Sequence, residues 1–204
     1  MTGIFITLEG GDGVGKTSHL GVVRKYFEAK GTKVTVTREP GGTPLGESVR
    51  SWLLGHGQLS SMSELLLVFA ARAQHLEEVI LPALELGHVV VCDRYVDASF
   101  AYQGGGRGLS IDFISELERQ LPGQRPPDLT LLLDAPVELA AKRAKGRGHL
   151  DRFEAEERSF FERVRKAYLQ RAEQFPERIR LIDASQPLEA VAETVLATMR
   201  DAWG

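Results

Sequence analysis

Five short apolar runs, at residues 4–8, 33–37, 89–92, 129–133 and 179–182, punctuate the chain, and the stretches between them carry apolar residues at helical spacing. Runs of this kind suit strands buried on both faces. Strands alternating with helices predict a parallel sheet covered by helices on both sides. Ser61-Met62-Ser63-Glu64 reads as a capping box, Pro187 suits the first turn of the last helix, and Gly31 and Gly87 follow expected helix ends. No repeat and no low-complexity linker interrupts the 204 residues, so one domain over residues 1–204 is expected.

The first run leads directly into Gly10-Gly11-Asp12-Gly13-Val14-Gly15-Lys16-Thr17, which satisfies G-x-x-x-x-G-K-[ST]. A strand followed by this loop and then a helix is the setting of a phosphate cradle. Four glycines let backbone N–H groups turn inward around phosphate oxygens, Lys16 reaches the outer phosphates, and the Thr17 hydroxyl is a candidate ligand for Mg²⁺. The positive end of a helix starting near Lys16 adds to the attraction. The expected fold class is therefore α/β, a P-loop NTPase-type sheet of five parallel strands flanked by helices.

A formal net charge of -3 argues against bulk binding to nucleic acid or to an anionic membrane, so anion recognition has to be local. Cys92, the lone cysteine, lies in an apolar run and reads as a small buried thiol. No basic and apolar leader precedes the first strand and no apolar run reaches membrane-spanning length, which predicts a cytoplasmic protein. The segment 142–152 packs five cations and two glycines between helical stretches. It reads either as a solvated loop or as a mobile basic lid over a triphosphate, placed at about 142–153.

A chain without asparagine cannot carry the Asn-Lys-x-Asp segment of a regulatory GTPase. The dinucleotide pattern fails too, because counting from Gly11 puts Lys16 where its third glycine belongs. Phosphoryl transfer to a small acceptor and ATP-driven mechanical work remain. Arg38, Arg50, Arg72, Arg94 and Arg107 fall near predicted strand ends or in helices just beyond them, where ligands bind in open parallel sheets. Arg94 follows Asp93 at the tip of an interior strand and is the strongest of these.

With the loop taken together with Arg38-Glu39-Pro40-Gly41-Gly42-Thr43, Asp93-Arg94-Tyr95, the run from Ala101 and Tyr102 through Gln103 and three glycines to Arg107 and Gly108, and Leu150-Asp151-Arg152-Phe153-Glu154, the chain resembles the bacterial thymidylate kinases almost end to end. The resemblance implies a homodimeric, Mg²⁺-dependent enzyme that makes dTDP from dTMP and ATP. It implies further that Asp12 holds the deoxyribose 3′-hydroxyl, that Arg38, Arg50 and Arg94 clamp the acceptor phosphate or the transferring group, and that Arg72 reads a thymine carbonyl. Ser99 and Gln103 match nucleotide-contacting positions, and Tyr102 matches the tyrosine that leaves no room for a ribose 2′-hydroxyl. Val14 leaves the loop without an arginine, as in the subtype whose lid supplies the catalytic cation, here Arg147 and Arg152. The family's base-stacking aromatic falls on Val68, and Phe69, one residue on and near one helix face with Arg72, is the candidate substitute. Asp93 either holds Mg²⁺ through water or braces Arg94. The competing readings are another nucleoside or nucleoside-monophosphate kinase, and a P-loop binding module without catalysis.

Overall fold

The computed structural model describes residues 3–55, 59–145 and 156–204. Its five strands are β1 (Ile4–Glu9), β2 (Val34–Arg38), β3 (Val89–Asp93), β4 (Leu129–Asp134) and β5 (Ile179–Asp183), each within a residue or so of its predicted run. All pair in parallel, in the order β2-β3-β1-β4-β5. The chain leaves β1 toward one edge of the sheet and leaves β3 toward the other. The loops after these neighbouring strands therefore diverge and open a crevice at their carboxyl ends.

Alternation along β1 builds the two faces. Ile6 and Leu8 join Val89, Val91, Leu129 and Leu131 in a core covered by α1 (Lys16–Ala29) and α9 (Leu188–Trp203) through Val23, Phe27, Val195 and Met199. Phe5 lies in a second core with Val90 and Cys92, covered by α3 (Ser61–His75) through Leu65 and Phe69. On that second face Thr7 meets Thr130 through a 2.8 Å hydroxyl pair, and Glu9, the next residue in phase, is wholly buried. A third cluster joins Leu132 and Ile179 to Phe160, Val164 and Tyr168 of α8 (Arg158–Gln174).

Helix boundaries follow side-chain chemistry. Thr43 caps α2 (Pro44–Leu54) by accepting from the Gly46 N–H at 3.0 Å, with Pro44 at the first helical position. The cap of α3 is Ser60, one residue before the predicted box, and it accepts from the Ser63 N–H at 3.1 Å. Glu64 serves elsewhere, buried and accepting from Gln103 Nε2 at 2.8 Å. Pro187 sits at the N-cap of α9, and Gly31 and Gly87 take the positive φ expected past a helix end. Two π-helical turns were not anticipated from the sequence. One, Leu76–Ile80, joins α3 to α4 (Leu81–Glu85), and the other, Phe100–Gly106, extends α5 (Val96–Ser99). The second lines the crevice through Tyr102 and Gln103, and such turns are often found at working sites, whereas the first packs Leu76 and Ile80 into the second core. The remaining α-helices are α6 (Ile111–Arg119) and α7 (Val137–Lys145). Among the described residues no helix is long and apolar enough to cross a membrane.

Candidate active site

Gly10, Gly13 and Gly15 all take positive φ, which wraps the loop between β1 and α1 around the amino end of the helix. A Cβ on Gly13 would lie 2.0 Å from the Ala140 carbonyl oxygen, so the loop presses directly on α7. Lys16 is buried, and its ammonium donates to the Gly10 and Gly11 carbonyls at 3.0 and 2.6 Å. Burial, and then the Arg94 charge, bring its pKa down to about 8 against the pull of Asp12, Asp93 and Glu9. Thr17 is exposed at the start of α1.

Arg94 crosses from β3 to the loop. Its guanidinium donates to Gly10 O at 2.8 Å and to Asp12 Oδ1 at 2.5 Å, and it lies 4.9 Å from the centre of the Tyr102 ring. Tyr102 donates its hydroxyl to Asp12 Oδ2 at 2.9 Å, so ring and cation share one carboxylate. Burial pushes the Asp12 carboxyl up, but Arg94, Lys16 and the Tyr102 hydroxyl outweigh it and bring the pKa down to about 2. Arg50 donates to Pro40 O at 3.2 Å, and burial followed by the charges of Arg38 and Arg94 lowers its pKa. Arg38 stands farther out, paired with Glu47 at 2.8 Å.

Asp12, Arg50, Arg94 and Tyr102 line one end of an open cavity whose other end is lined by Val68, Arg72, Ser99 and Gln103. Arg72 is 1% exposed and held at three corners: Nε to Glu39 at 2.6 Å, Nη1 to Ser99 Oγ at 3.0 Å and Nη2 to Tyr95 O at 3.0 Å. The other Glu39 oxygen accepts from His75 Nδ1 at 3.0 Å, and His75 Nε2 meets the Thr37 hydroxyl at 2.6 Å. Glu39 and His75 were not predicted as site residues. His75 was findable, since it lies three residues after Arg72 and therefore on the same helix face. Gly42 leaves room for this relay, because a Cβ there would fall within 2.6 Å of both the His75 ring and the Thr37 hydroxyl.

The structure thus brings together Asp12, Lys16, Arg50, Arg72, Arg94, Ser99, Tyr102 and Gln103. Phe69 takes a different place. Its ring packs in the core of the second face and carries the Arg72 guanidinium at 4.8 Å, while Val68 lines the cavity. Arg107 is tied to Glu64 and Glu156 at 3.3 and 2.6 Å. Arg147 and Arg152, with most of the expected lid, lie outside the described residues.

Comparison with known proteins identifies the fold and the family. A sequence profile for thymidylate kinase matches residues 8–195. The thymidylate kinase of Ectopseudomonas mendocina is 54% identical over 201 residues, covering 98% of this chain and 96% of that protein. That of Pseudomonas savastanoi pv. phaseolicola is 56% identical over 193 residues, covering 94% and 92%. The crystal structure of thymidylate kinase from Ehrlichia chaffeensis superposes with a TM-score of 0.80 at 33% identity, covering 98% of this chain and 99% of the other. The chain belongs to the thymidylate kinase family. In this thymidylate kinase family member the phosphate loop follows β1 and Arg94 follows the neighbouring β3, so loop and arginine cavity share the crevice between those strands.

Phe69 supports Arg72, so Phe69→Ala should lower stability by roughly 3–5 kcal/mol, the usual cost of deleting a core phenyl ring. Urea denaturation checks it, and a stable variant altered only in acceptor KM would instead make Phe69 a stacking surface. For Lys16, a free-enzyme pKa of about 8 means the cation is present below that pH and lost above it. The value of kcat/KM for ATP should therefore fall about tenfold per pH unit above pH 8. A pH profile that stays flat to pH 10 would show that Lys16 keeps its proton.

Proposed function

We propose that this chain is a dTMP kinase that transfers the γ-phosphoryl group of ATP to the 5′-phosphate of dTMP, releasing dTDP and ADP. The observation that carries the reading is the single cavity with Arg50 and Arg94 at its loop end and Arg72, Ser99 and Gln103 at its far end. A phosphate belongs among the first group and a base among the second. Arg72 has five N–H donors, of which three are committed to Glu39, Ser99 and Tyr95, which leaves two for a base carbonyl. Asp12 and Tyr102 stand beside Arg94 at the loop end, where a sugar next to the phosphate would lie.

The acceptor needs no strong general base, because a phosphate monoester with a second pKa of about 6 already carries an ionised oxygen near neutral pH. Catalysis is positioning plus charge neutralisation. Arg50 and Arg94 hold the acceptor phosphate, and Lys16 leaves the loop carbonyls for the outer phosphates of ATP. The adenosine lies across the loop, in the depression lined by Ser18, His19, Arg143 and Gln186. We assign Mg²⁺ to Thr17 and Asp93. Asp93 Oδ1 is buried without a hydrogen-bond partner, and among the described residues no group of three or more acidic, His or Cys side chains stands ready to enclose a metal. Such a site suits an ion held mainly by water and phosphate oxygens. When bound, Mg²⁺ offsets charge on the triphosphate and orients it. Val14 supplies no cation from the loop, so we assign that role to Arg147 and Arg152, in the segment between α7 and α8.

We infer a cytoplasmic homodimer. Trp52 on α2 and Leu66 on α3 are 66% and 47% exposed, and apolar side chains of this size on adjoining helices suit a partner surface. Light scattering should give twice the 22.5 kDa chain mass, and a monomer at micromolar concentration would end that inference.

One assay tests the reading. Coupled ADP release across nucleoside monophosphates should show turnover with dTMP, and none with any thymidine or deoxyuridine acceptor would overturn it. In the same assay Tyr102→Ala should admit the ribose counterpart of dTMP and lower kcat, because Asp12 and Arg94 lose their support, whereas Tyr102→Phe should keep the sugar preference. Arg147→Ala and Arg152→Ala should lower kcat by about a hundredfold or more with little change in KM, as expected for a cation engaged only in the transition state.

A further inference from the structure

Arg94 is the only non-glycine residue with a positive φ, 67°, among the described residues. L side chains other than glycine rarely take up this conformation, and where they do the surroundings hold them there. Here three consecutive residues of the β1 end do the holding. Leu8 O accepts the Arg94 N–H at 3.0 Å, and Glu9 Oε1 accepts the next amide, Tyr95 N–H, at 2.7 Å. Gly10 O accepts from the Arg94 guanidinium at 2.8 Å. Of these three contacts the one from Glu9 is made by a side chain; from β3 itself the Cys92 thiol donates to Arg94 O at 3.0 Å. The other Glu9 oxygen, Oε2, accepts the hydroxyl of Tyr168 from α8 at 2.7 Å, and the Tyr168 ring packs edge-to-face at 6.4 Å on Tyr102, which carries Arg94.

We propose that Glu9 is a positioning residue: it fixes the turn at Arg94 and, through Tyr168, ties that guanidinium to α8, the helix that follows segment 146–155. The proposal rests on the reading of Arg94 as a clamp on the acceptor phosphate. Glu9 does not have to be charged for this. Burial, reinforced by the Asp97 charge, raises its pKa to about 8. An amide would serve both bonds, with its oxygen accepting from Tyr95 N–H and its NH₂ donating to the Tyr168 oxygen. A structural carboxylate and a positioning one are thereby separable.

The test is a set of single-turnover rates with melting temperatures measured beside them. Glu9→Met, similar in length and without polar atoms, should lower kcat by about tenfold or more while KM for ATP stays within about threefold, and Glu9→Gln should recover most of the loss. In an Arg94→Ala background Glu9→Met should cost less than about twofold further, since residues acting as a unit are not additive. If Glu9→Met does not fold, Tyr168→Phe removes one buried oxygen and should lower kcat by about threefold in the wild-type background only. Equal proportional losses in both backgrounds, or a lower melting temperature with unchanged kcat, would overturn the proposal. Wild-type kcat in Arg94→Ala itself would remove the clamp reading, and this inference with it.

Discussion

Gathering positive charge inside a crevice before any anion arrives is the constraint on which the rest of this structure depends. Arg50 and Arg94 line one cavity and Lys16 lies within reach of the Arg94 charge, so burial and then repulsion from neighbouring cations lower the pKa of both Lys16 and Arg50. Buried cations persist only when paired or richly hydrogen-bonded. Asp12 pairs with Arg94, carbonyls of the loop take the Lys16 ammonium, and Pro40 O takes Arg50. These partners hold the cations in place yet leave donors to spare. A triphosphate and an acceptor phosphate complete the balance that the protein leaves short, which is the preorganisation phosphoryl transfer requires.

The sheet makes this gathering possible through register. Leu8 pairs with Asp93, so the residues after each strand, Glu9 with its loop and Arg94 with its turn, emerge side by side. A slip of one residue would send Glu9 to the face of α1 and α9, away from Tyr168 and Tyr95. The apolar alternation that buries Ile6 and Leu8 on one side and Phe5 on the other thus also decides which way the last carboxylate of the strand points.

Much of this was legible in the sequence because the signals are local. Strand runs, the phosphate loop and the Asp93-Arg94 tip depend on neighbours within a few residues. The pairings that place the site depend on distant ones: Glu39 with His75, and Glu9 with Tyr168, 36 and 159 positions apart. A single sequence carries no trace of them. Phe69 shows the limit within one helix. Adjacent residues on a helix point about 100° apart, so Val68 and Phe69 cannot both face the cavity, and spacing to Arg72 alone does not say which does. Ser60 and Ser61 differ by the same one-residue margin, within which caps are ambiguous. The π-helical turns have no propensity signal, because they arise from the tertiary fit of the helices that contain them.

The choice of arginine over lysine at the core of the site follows from how many partners each cation must serve. Arg72 spends three donors on Glu39, Ser99 and Tyr95 O and lies over Phe69; an ammonium could match neither the planar contact nor the fixed angles between its bonds. Arg94 likewise bridges a carbonyl and a carboxylate while lying against the Tyr102 ring. Arg94 is fixed through Nη1 and Nη2 and Arg72 through all three nitrogens, and both line the cavity. Lys16, whose task is to move from the Gly10 and Gly11 carbonyls to a phosphate, is the one cation of the set for which a flexible stem and a point charge are the better instrument.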